Sequence, residues 1–366
     1  MPVCLLCFYP MPSLLAESVT TAEAIPAADW ARLTPPRHPF LNADFFTTLE
    51  RHETAGPASG WQPQHLLVRD AAGQIVGLAP SFIKNHSHGD FVRDWSWASA
   101  YQQLGKPYYP RLFTGLPHTP ALGPRLLATE PEQTPAIRQA LIDVGLETVA
   151  ANRFSSWHIA LPSEAEVELL RAQDFLVSHD VQFQWRDRGY NDFDNFLGSF
   201  SSARRRKVKA ERRRVAESGL TIETRHGDEI APDEWPGIHT LYSATFDKFG
   251  NYAAFTPACF AELGRTLGGR MVLFIARMDS VPVAVSICFR SDDTLYGRYW
   301  GTAAAYHSLH FELCFYQGIA YCLREGLSTF EPGAGGEHKV ARGFVPTLVR
   351  SCHWITDQRM RQLIGQ

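Results

Sequence analysis

Short runs of apolar residues, separated by turns that contain Gly or Pro, dominate the first half of the chain. Strand-forming residues on both sides of Asp70–Gly73 predict a β-hairpin, and apolar residues at helical spacing predict helices. The predicted elements, in order, are the strand Val19–Ala24, the helices Ala27–Leu33 and Ala43–Glu50, the hairpin strands His65–Arg69 and Ile75–Ile83, the strand Phe91–Trp97, the helix Ile137–Ala151, the strand Trp157–Leu161, the helix Glu164–Gln173 and the strand Val181–Trp185.

The second half repeats this order of elements. One helix carries an apolar face at spacings of three and four residues, and Gly326 is placed to end it. The predicted elements are the hairpin strands Met271–Arg277 and Val283–Arg290, the strand Thr294–Trp300, the helix Phe311–Arg324 and the strands Leu327–Glu331 and Leu348–Ile355. In this degenerate repeat, Phe91–Trp97 corresponds to Leu295–Trp300. The pattern predicts a mixed α/β fold with two similar units, which face each other across a ligand cleft.

Length and composition agree with a folded protein of two domains. The chain has 366 residues, 45% of them apolar and 20% charged, which is typical of globular proteins. We predict an N-terminal extension at 1–18 that is disordered, a first domain at 19–190, basic linking helices at 191–219, and a second domain at 220–366 that carries the active site. No apolar run is long enough to span a bilayer, and the start of the chain lacks the features of a signal peptide. We therefore expect a soluble cytoplasmic protein.

A strongly basic segment follows the first unit. Eight of the eleven residues from Arg204 to Arg214 are basic, and Ser201 or Ser202 can cap the helix that carries them. One interpretation is an anion site for phosphates; the other is a solvated helix face. The net charge of −3 excludes a globally basic nucleic-acid binder, and no docking motif indicates DNA recognition. The candidate anion-binding residues are Arg204, Arg205, Arg206, Lys207 and Lys209.

The densest group of reactive side chains follows the glycines of Pro332–Gly336. Glu337 and His338 can move protons, and Lys339 and Arg342 can stabilise an oxyanion or hold a phosphate. The segment leaves the end of a predicted strand, where α/β proteins tend to bind ligands. The alternative is a glycine-rich turn with solvated charges. We favour a catalytic site made of these four side chains.

Further polar and aromatic residues cluster near predicted strand ends in both halves. A His-x-x-His pair with a nearby Glu lacks a third ligand at zinc spacing, so we predict no metal. In the first half, the same residue types lie in a Pro-rich segment that is either a surface loop or a wall of the cleft. The candidate substrate-binding residues are Arg298, Tyr299, Trp300, His307, His310, Glu312, Glu331, Tyr108, Arg111, Arg125 and Trp95.

Several of these segments together resemble the FemAB-like group of predicted N-acyltransferases in the GNAT superfamily. The most specific is the run from Pro332 to Phe344, Pro-Gly-Ala-Gly-Gly-Glu-His-Lys-Val-Ala-Arg-Gly-Phe. Supporting segments are Trp61–His65, Tyr108–Arg111, Gly123–Arg125, Arg298–Gly301 and Leu309–Glu312. The resemblance spans about Ala27 to the C-terminus. It implies two tandem GNAT-like domains and transfer of an acyl or aminoacyl group to an amine.

The resemblance also implies roles for particular residues. His338-Lys339 is similar to a Phe-Lys pair that serves the active site of Fem transferases, with His in place of Phe. The basic helix at 204–214 is similar to the one that opens their second domain. Fem transferases use aminoacyl-tRNA and ordinary GNAT enzymes use acyl-CoA. The pyrophosphate loop of the latter is absent before Phe311, and the coiled-coil arm of some Fem enzymes is absent too, so both donors stay open.

The standard signatures of other enzyme classes are missing. There is no G-x-S-x-G, H-E-x-x-H, G-x-x-x-x-G-K-[ST] or G-x-G-x-x-G sequence, which argues against common hydrolases, zincins, P-loop enzymes and dehydrogenases. The sequence thus predicts an N-acyltransferase that uses acyl-CoA or aminoacyl-tRNA. Its acceptor is a small-molecule or peptide amine, such as a cell-wall precursor. A non-catalytic ligand-binding or regulatory module and an RNA-associated protein are the alternatives.

Overall fold

The computed structural model describes residues 14–129 and 134–365. Most of the predicted extension at 1–18 lies outside the described residues. Residues 15–18 belong to the first strand, which pairs antiparallel with His65–Arg69. The prediction of disorder is therefore wrong for these residues, because a paired strand fixes their backbone.

Fifteen strands form two sheets in the described part of the chain. They are β1 (Leu15–Val19), β2 (Trp61–Pro63), β3 (His65–Arg69), β4 (Ile75–Ala79), β5 (Ser81–Lys84), β6 (Arg111–Thr114), β7 (Leu127–Ala128), β8 (Ser156–Ile159), β9 (Leu176–Arg186), β10 (Thr221–His226), β11 (Met271–Met278), β12 (Val281–Arg290), β13 (Thr294–Thr302), β14 (Thr329–Glu331) and β15 (Val345–Ile355). Most of the predicted strands are confirmed close to their observed bounds, but β2, β6, β7 and β10 were not predicted. The predicted strand Val19–Ala24 is wrong beyond Val19, because Ala22–Ala24 form a 3₁₀ helix and Ala22 N donates to Glu50. The predicted strand Ile75–Ile83 is divided at Pro80 into β4 and β5, which belong to different sheets.

The two halves exchange their last strands. The large sheet has the order β10-β11-β12-β13-β14-β9-β15-β8-β6-β5-β2, and a smaller sheet has the order β1-β3-β4-β7. β9, from the first half, pairs with β14 of the second, while the C-terminal β15 pairs with β8 of the first. β9 and β15 also pair with each other over nine positions, from Val345–Gln184 to His353–Leu176. Backbone hydrogen bonds therefore run continuously from one half to the other.

Helices cover both faces of the large sheet. They are α1 (Ala27–Leu33), α2 (Ala43–Arg51), α3 (Trp95–Gln103), α4 (Thr134–Ala151), α5 (Glu164–Ala172), α6 (Phe193–Gly198), α7 (Ser202–Ala216), α8 (Trp235–Lys248), α9 (Pro257–Leu267), α10 (Leu309–Phe311), α11 (Gln317–Glu325) and α12 (Gln358–Ile364). A π-helical turn, Glu312–Tyr316, joins α10 to α11. As predicted, Ser201 caps α7 by accepting from Arg204 N, and Gly326 ends α11 with a left-handed backbone. The sequence analysis did not predict α3, α8, α9 or α12.

The apolar core crosses the boundary between the halves. One cluster joins Phe40 and Phe46 of the first half to Phe260 and Phe289 of the second, with all four side chains at most 1% exposed. A second cluster packs α6, α7 and α11 against the other face of β11–β14. Burial of these rings removes large apolar areas from water, which holds the halves together.

The predicted strand Phe91–Trp97 is wrong. Phe91 and Arg93 have φ values of 59° and 60°, which an extended strand cannot contain, and α3 begins at Trp95. The strand that pairs with the first hairpin is instead β6, which lies antiparallel to β5 and parallel to β8. The predicted repeat is therefore wrong in matching Phe91–Trp97 to Leu295–Trp300, since β6 is the strand that follows the first hairpin in the sheet.

Candidate active site

A cavity opens where the parallel strands β13 and β14 separate. The two strands pair only from Thr294–Thr329 to Tyr296–Glu331. β14 then ends, whereas β13 continues to Thr302. The cavity has a volume of about 600 Å³. It is lined by Ala244, Thr245, Phe246, Lys248, Phe249, Ser286, Gly297, Arg298, Tyr299, Trp300, Thr302, His310, Cys314, Phe315, Pro332, Gly333, Ala334, Gly335, Gly336, His338 and Lys339.

A β-bulge places Arg298 at the cavity wall. On β13, Tyr299 pairs with Ile287 and Gly297 pairs with Cys288, so Arg298 is an extra residue without a partner on β12. A bulge bends its strand and redirects the side chains beside it. Consequently Arg298, Tyr299 and Trp300, three consecutive residues that were predicted to bind substrate, all line the cavity.

The glycine-rich loop after β14 forms the opposite wall. Gly333, Gly335 and Gly336 have φ values of +87°, +70° and +95°. Residues other than glycine rarely adopt such values. A Cβ atom at Gly336 would lie 2.8 Å from Cε1 of His338. A 3₁₀ helix, Glu337–Arg342, follows and carries the predicted catalytic residues. We call the segment Gly333–Arg342 the catalytic loop.

Lys339 is the cation that the catalytic loop brings into the cavity. Its side chain is buried, and Nζ donates to the carbonyl oxygens of Gly333 at 2.7 Å and Ala334 at 3.4 Å. No described carboxylate lies within ion-pair distance of it. Burial lowers the pKa of Lys339 to about 8, because a charged amine loses hydration inside the protein. Lys339 is therefore mostly protonated at neutral pH, although its charge is weakly compensated.

Two histidines lie beside Lys339. His310 and His338 both line the cavity, with ring centroids 6.1 Å apart. Burial, with help from the neighbouring His338 and the cations of the catalytic loop, lowers the pKa of His310 to about 4. Burial and the charge of Lys339 also lower the pKa of His338. Both rings are neutral near pH 7, so either can accept a proton.

Arg342 holds the catalytic loop from outside the cavity. Its guanidinium donates to the buried Glu211 at 2.8 Å and to the carbonyl oxygen of His338 at 2.9 Å. It also lies over the ring of Phe311, 3.3 Å from the centroid. Tyr316 donates a short hydrogen bond to the same Glu211. These contacts indicate that Arg342 positions the catalytic loop rather than contacting a ligand.

Four other second-half candidates lie away from the cavity lining. Glu337 and His307 are exposed. Glu312 is buried but faces α7, where it pairs with Arg212 at 3.2 Å. Glu331 lines a separate cleft, and Gln184 donates to it at 3.1 Å. Burial raises the pKa of Glu331 to about 7. The sequence placed these residues close to the site along the chain, but the strand and helix directions turn their side chains elsewhere.

The first-half candidates do not join the site either. Arg111 pairs with Asp90 at 2.6 Å and Asp94 at 2.9 Å, with all three side chains fully buried. Tyr108 donates to Asp94, and Arg125 is buried against backbone carbonyl oxygens. The substrate-binding candidate Trp95 is half exposed, at the start of α3. Three of these four residues thus belong to the buried interior of the first half.

The basic helix α7 lies against the outer side of the catalytic loop. Arg204 donates to the carbonyl oxygens of Ala341, at 2.7 Å, and of Val340. Lys209 pairs with Asp194 at 3.1 Å. Arg205, Arg206 and Lys207 make no ion pair or side-chain hydrogen bond with any described residue. Two of the five predicted anion-binding residues, Arg204 and Lys209, therefore contact other parts of the fold. The other three are free to bind an anion.

Sequence reasoning missed some of the cavity lining. Thr245, Phe246 and Lys248 come from α8, which was not predicted. Cys314 lies four residues after His310, so helical spacing could have placed it on the same face. Burial raises the pKa of Cys314, which keeps the thiol protonated.

Within 14–129 and 134–365, no group of three or more His, Cys, Asp or Glu side chains could hold a metal ion. Among the same residues, no helix combines the length and apolar character that a membrane span requires.

The mixed α/β fold is confirmed, and several solved structures share it. The C-terminal domain of a putative lysylphosphatidylglycerol synthetase from Agrobacterium fabrum is similar to this chain, with a TM-score of 0.55 and 11% identity over 93% of this chain and 94% of that one. FemX is similar with a TM-score of 0.51 and 13% identity over 87% and 93%. L-PGS from Bacillus licheniformis is similar with a TM-score of 0.51 and 10% identity over 87% and 95%. At these identities the likeness shows the fold alone.

The family is shown by the sequence itself. The model of the FemAB-like family, described as peptidoglycan biosynthesis/recognition, matches residues 21–366. The chain belongs to the FemAB-like family, and the predicted resemblance is confirmed. No curated protein matches the chain in sequence. Family and fold together support a transferase of acyl or aminoacyl groups.

Proposed function

We propose that this protein is an N-acyltransferase that moves an acyl or aminoacyl group from an activated donor to an amine. The observation that carries the proposal is Lys339. It is a buried cation with no acidic partner in the described part of the chain, in a cavity between two separating strands, and two neutral histidines lie beside it. A preorganised donor in a site shielded from water stabilises developing negative charge far better than one in solvent.

The chemistry assigns a role to each side chain. The acceptor nitrogen attacks the donor carbonyl carbon and forms a C–N bond, while the carbonyl oxygen becomes an oxyanion beside Lys339 Nζ. His338, neutral because of its lowered pKa, takes the proton that the amine loses. The C–O or C–S bond to the carrier then breaks, and the leaving oxygen or sulfur receives a proton. His310 is the second group in the cavity that can carry this proton.

Two features of the site favour a donor carried on tRNA over acyl-CoA. The helix that follows β13 begins at Leu309, and no glycine-rich pyrophosphate loop of the kind that acyl-CoA enzymes use precedes it. In addition, the free cations of Arg205, Arg206 and Lys207 lie on the helix that packs against the catalytic loop, where a polyanion can neutralise them.

The family description suggests the acceptor. The matching model concerns peptidoglycan biosynthesis and recognition, so we propose an amine of a cell-wall precursor. Such precursors offer primary amines on short peptides. This assignment rests on the family, whereas the reaction type also rests on the cavity.

The test is a transfer assay with the purified chain. A panel of aminoacyl-tRNAs, acetyl-CoA and longer acyl-CoAs is offered with amine-bearing precursor peptides, and amide products are detected by mass spectrometry. We expect product with a donor of the panel, and about a 100- to 1,000-fold slower rate for Lys339→Met. Lys106→Met, a lysine remote from the cavity, is the matched control and should keep the wild-type rate.

The same variants separate transfer from mere binding. In an enzyme, Lys339→Met keeps its melting temperature and its affinity for the donor but loses turnover. If the wild-type chain binds donors and transfers nothing, and Lys339→Met changes affinity alone, the proposal is wrong. That result would favour the non-catalytic ligand-binding module.

A further inference from the structure

A second cavity adjoins the first through a shared wall. It has a volume of about 370 Å³ and lies between the two halves of the chain. Five residues line both cavities: Phe246, Arg298, Tyr299, Gly333 and Ala334. The two cavities therefore lie side by side, with the side chain of Arg298 at their junction.

The walls of the second cavity are mainly aromatic and apolar. Phe91 and Pro120 come from the first half, and Tyr242, Tyr252 and Phe255 come from the second. The ring of Tyr252 is 71% exposed at the rim of this cavity. Nearby Phe249, at the rim of the first cavity, is 67% exposed. Exposed aromatic rings around a concave apolar surface are typical of a ligand-binding site.

Arg298, in the shared wall, is a cation that forms no ion pair with the residues that the structure describes. One guanidinium nitrogen donates to the carbonyl oxygen of His118 at 2.9 Å, while Nε is buried without any partner. Among residues 14–129 and 134–365, no carboxylate lies within ion-pair distance of it. Arg111, which is buried in the first half, has two such carboxylates. An arginine that the protein leaves unpaired in a cavity wall is free to pair with a ligand.

The surroundings of Arg298 indicate the kind of anion. The free cations of α7 lie on the helix from which Arg204 contacts the catalytic loop, and they do not line either cavity. Arg298 instead faces a small cavity with aromatic walls, and its guanidinium carbon lies 6.0 Å from the ring of Phe91 and 5.8 Å from that of Tyr299. A planar guanidinium in such a pocket matches a single carboxylate, which it can bind through two parallel hydrogen bonds.

We infer, on the basis of the proposed function, that the acceptor is an amine that also carries a carboxylate and an apolar group. Arg298 binds the carboxylate at the junction of the two cavities. The apolar group occupies the aromatic cavity, and the amine remains in the first cavity, beside His338 and Lys339. Amino acids and short peptides with an apolar side chain have this chemistry.

Binding without a donor tests this inference separately from transfer. We would titrate the full chain with 3-phenylpropanoate, its neutral analogue 3-phenylpropanamide, and propanoate. We expect the phenyl carboxylate to bind at least about tenfold more tightly than the amide, because a charge-assisted hydrogen bond is lost in the amide. This comparison on the wild-type chain needs no variant to fold.

The variants locate the two contacts. Arg298→Met should abolish the preference for the carboxylate, whereas Arg265→Met, an exposed arginine elsewhere, should preserve it. Tyr252→Ser should weaken the binding of 3-phenylpropanoate and leave the binding of propanoate unchanged. Equal binding of acid and amide, or a preference that survives Arg298→Met, would overturn the inference.

The binding assay and the transfer assay together distinguish the two proposals. If the carboxylate preference is present and no transfer occurs with any donor, the site stands and the proposed function fails. If Lys339→Met abolishes transfer but the wild-type chain shows no carboxylate preference, the function stands and the inference is wrong.

Discussion

Each half of the molecule contains one pair of parallel strands, and the two pairs differ in what lies at their ends. In the first half, β6 ends at Thr114, where its pairing with β8 ends, and Ala160 N continues the ladder to Thr114 O at 3.0 Å. In the second half, β13 continues to Thr302 beyond its last pair with β14. In the first half the ladder thus continues past the end of β8, whereas in the second half the strands separate at the cavity that Lys339 and Arg298 line.

The two halves also differ in how their buried cations are paired. Arg111 and Lys84 are buried with Asp90 and Asp94, so opposite charges compensate one another within the fold. Lys339 and Arg298 are held by backbone carbonyl oxygens and have no acidic partner among the described residues. The comparison teaches that residue type does not mark a site. A cation becomes available to a ligand where the fold provides a cavity but no counterion.

Removing Arg111 should give the largest effect on stability. Arg111→Met leaves Asp90 and Asp94 buried with Lys84 as their remaining cation, and we expect a loss of about 3 to 5 kcal/mol in the free energy of unfolding. Arg298→Met, which strands no carboxylate, should change stability by about 1 kcal/mol or less. Urea unfolding of both variants measures the difference. Equal losses would show that the comparison between the halves is wrong.

Glu211→Gln tests how firmly the catalytic loop is held. It leaves Arg342 without its counterion, so we expect a loss of about 2 to 4 kcal/mol in stability. The transfer rate should fall by up to about 100-fold because Lys339 shifts with the loop. Glu217→Gln, an exposed residue at the end of the same helix, is the control for both measurements. A stability loss with an unchanged rate would mean that Arg342 and Glu211 serve the fold alone.

Neutralising the free cations of α7 should change the salt dependence of donor binding. Log affinity for a tRNA donor should fall as log salt concentration rises. With Arg205, Arg206 and Lys207 all replaced by Gln, this dependence should become shallower, and the magnitude of its slope should drop by about 2 to 3. Replacing Arg188, Arg265 and Arg359 by Gln removes as many exposed charges elsewhere and should leave the slope unchanged. An affinity that does not depend on salt, in the wild-type chain, would contradict a polyanionic donor.

The pH profile of transfer should reveal the lowered pKa of Lys339. With a pKa of about 8, Lys339 is protonated below pH 8 and loses its charge above it. The rate should therefore decline by about tenfold per pH unit above 8, if the charged form stabilises the oxyanion. Lys339→Arg stays charged throughout this range and should remove the decline. A wild-type rate that is constant up to pH 10 would contradict this role for Lys339.

Local sequence patterns predicted much of the second half. The hairpin β11–β12, the strand β13 and the helix that ends at Gly326 were expected close to their observed bounds. The glycines after β14 were expected to form a loop that carries a site candidate, and three of them have the positive φ values that suit glycine. Three neighbours of that loop, Arg298, His310 and Trp300, were also predicted and do line the cavity.

The sequence predictions failed where contacts between distant segments determine the local structure. Phe91–Trp97 has the composition of a strand, but Asp90 and Asp94 are drawn inward by Arg111 and the chain turns there instead. Glu312 stands two residues after His310, yet it faces α7 because Arg212 pairs with it. Neither outcome can be read from local spacing.

The sequence by itself determined the mixed α/β elements, the resemblance to the FemAB-like family and the catalytic loop, because short-range periodicity and glycine-dependent backbone angles encode them. Only the tertiary structure decided the exchange of β9 and β15, the separation of β13 from β14, and which cations were left without counterions. These features depend on long-range hydrogen bonds and on the burial of charges against partners far along the chain.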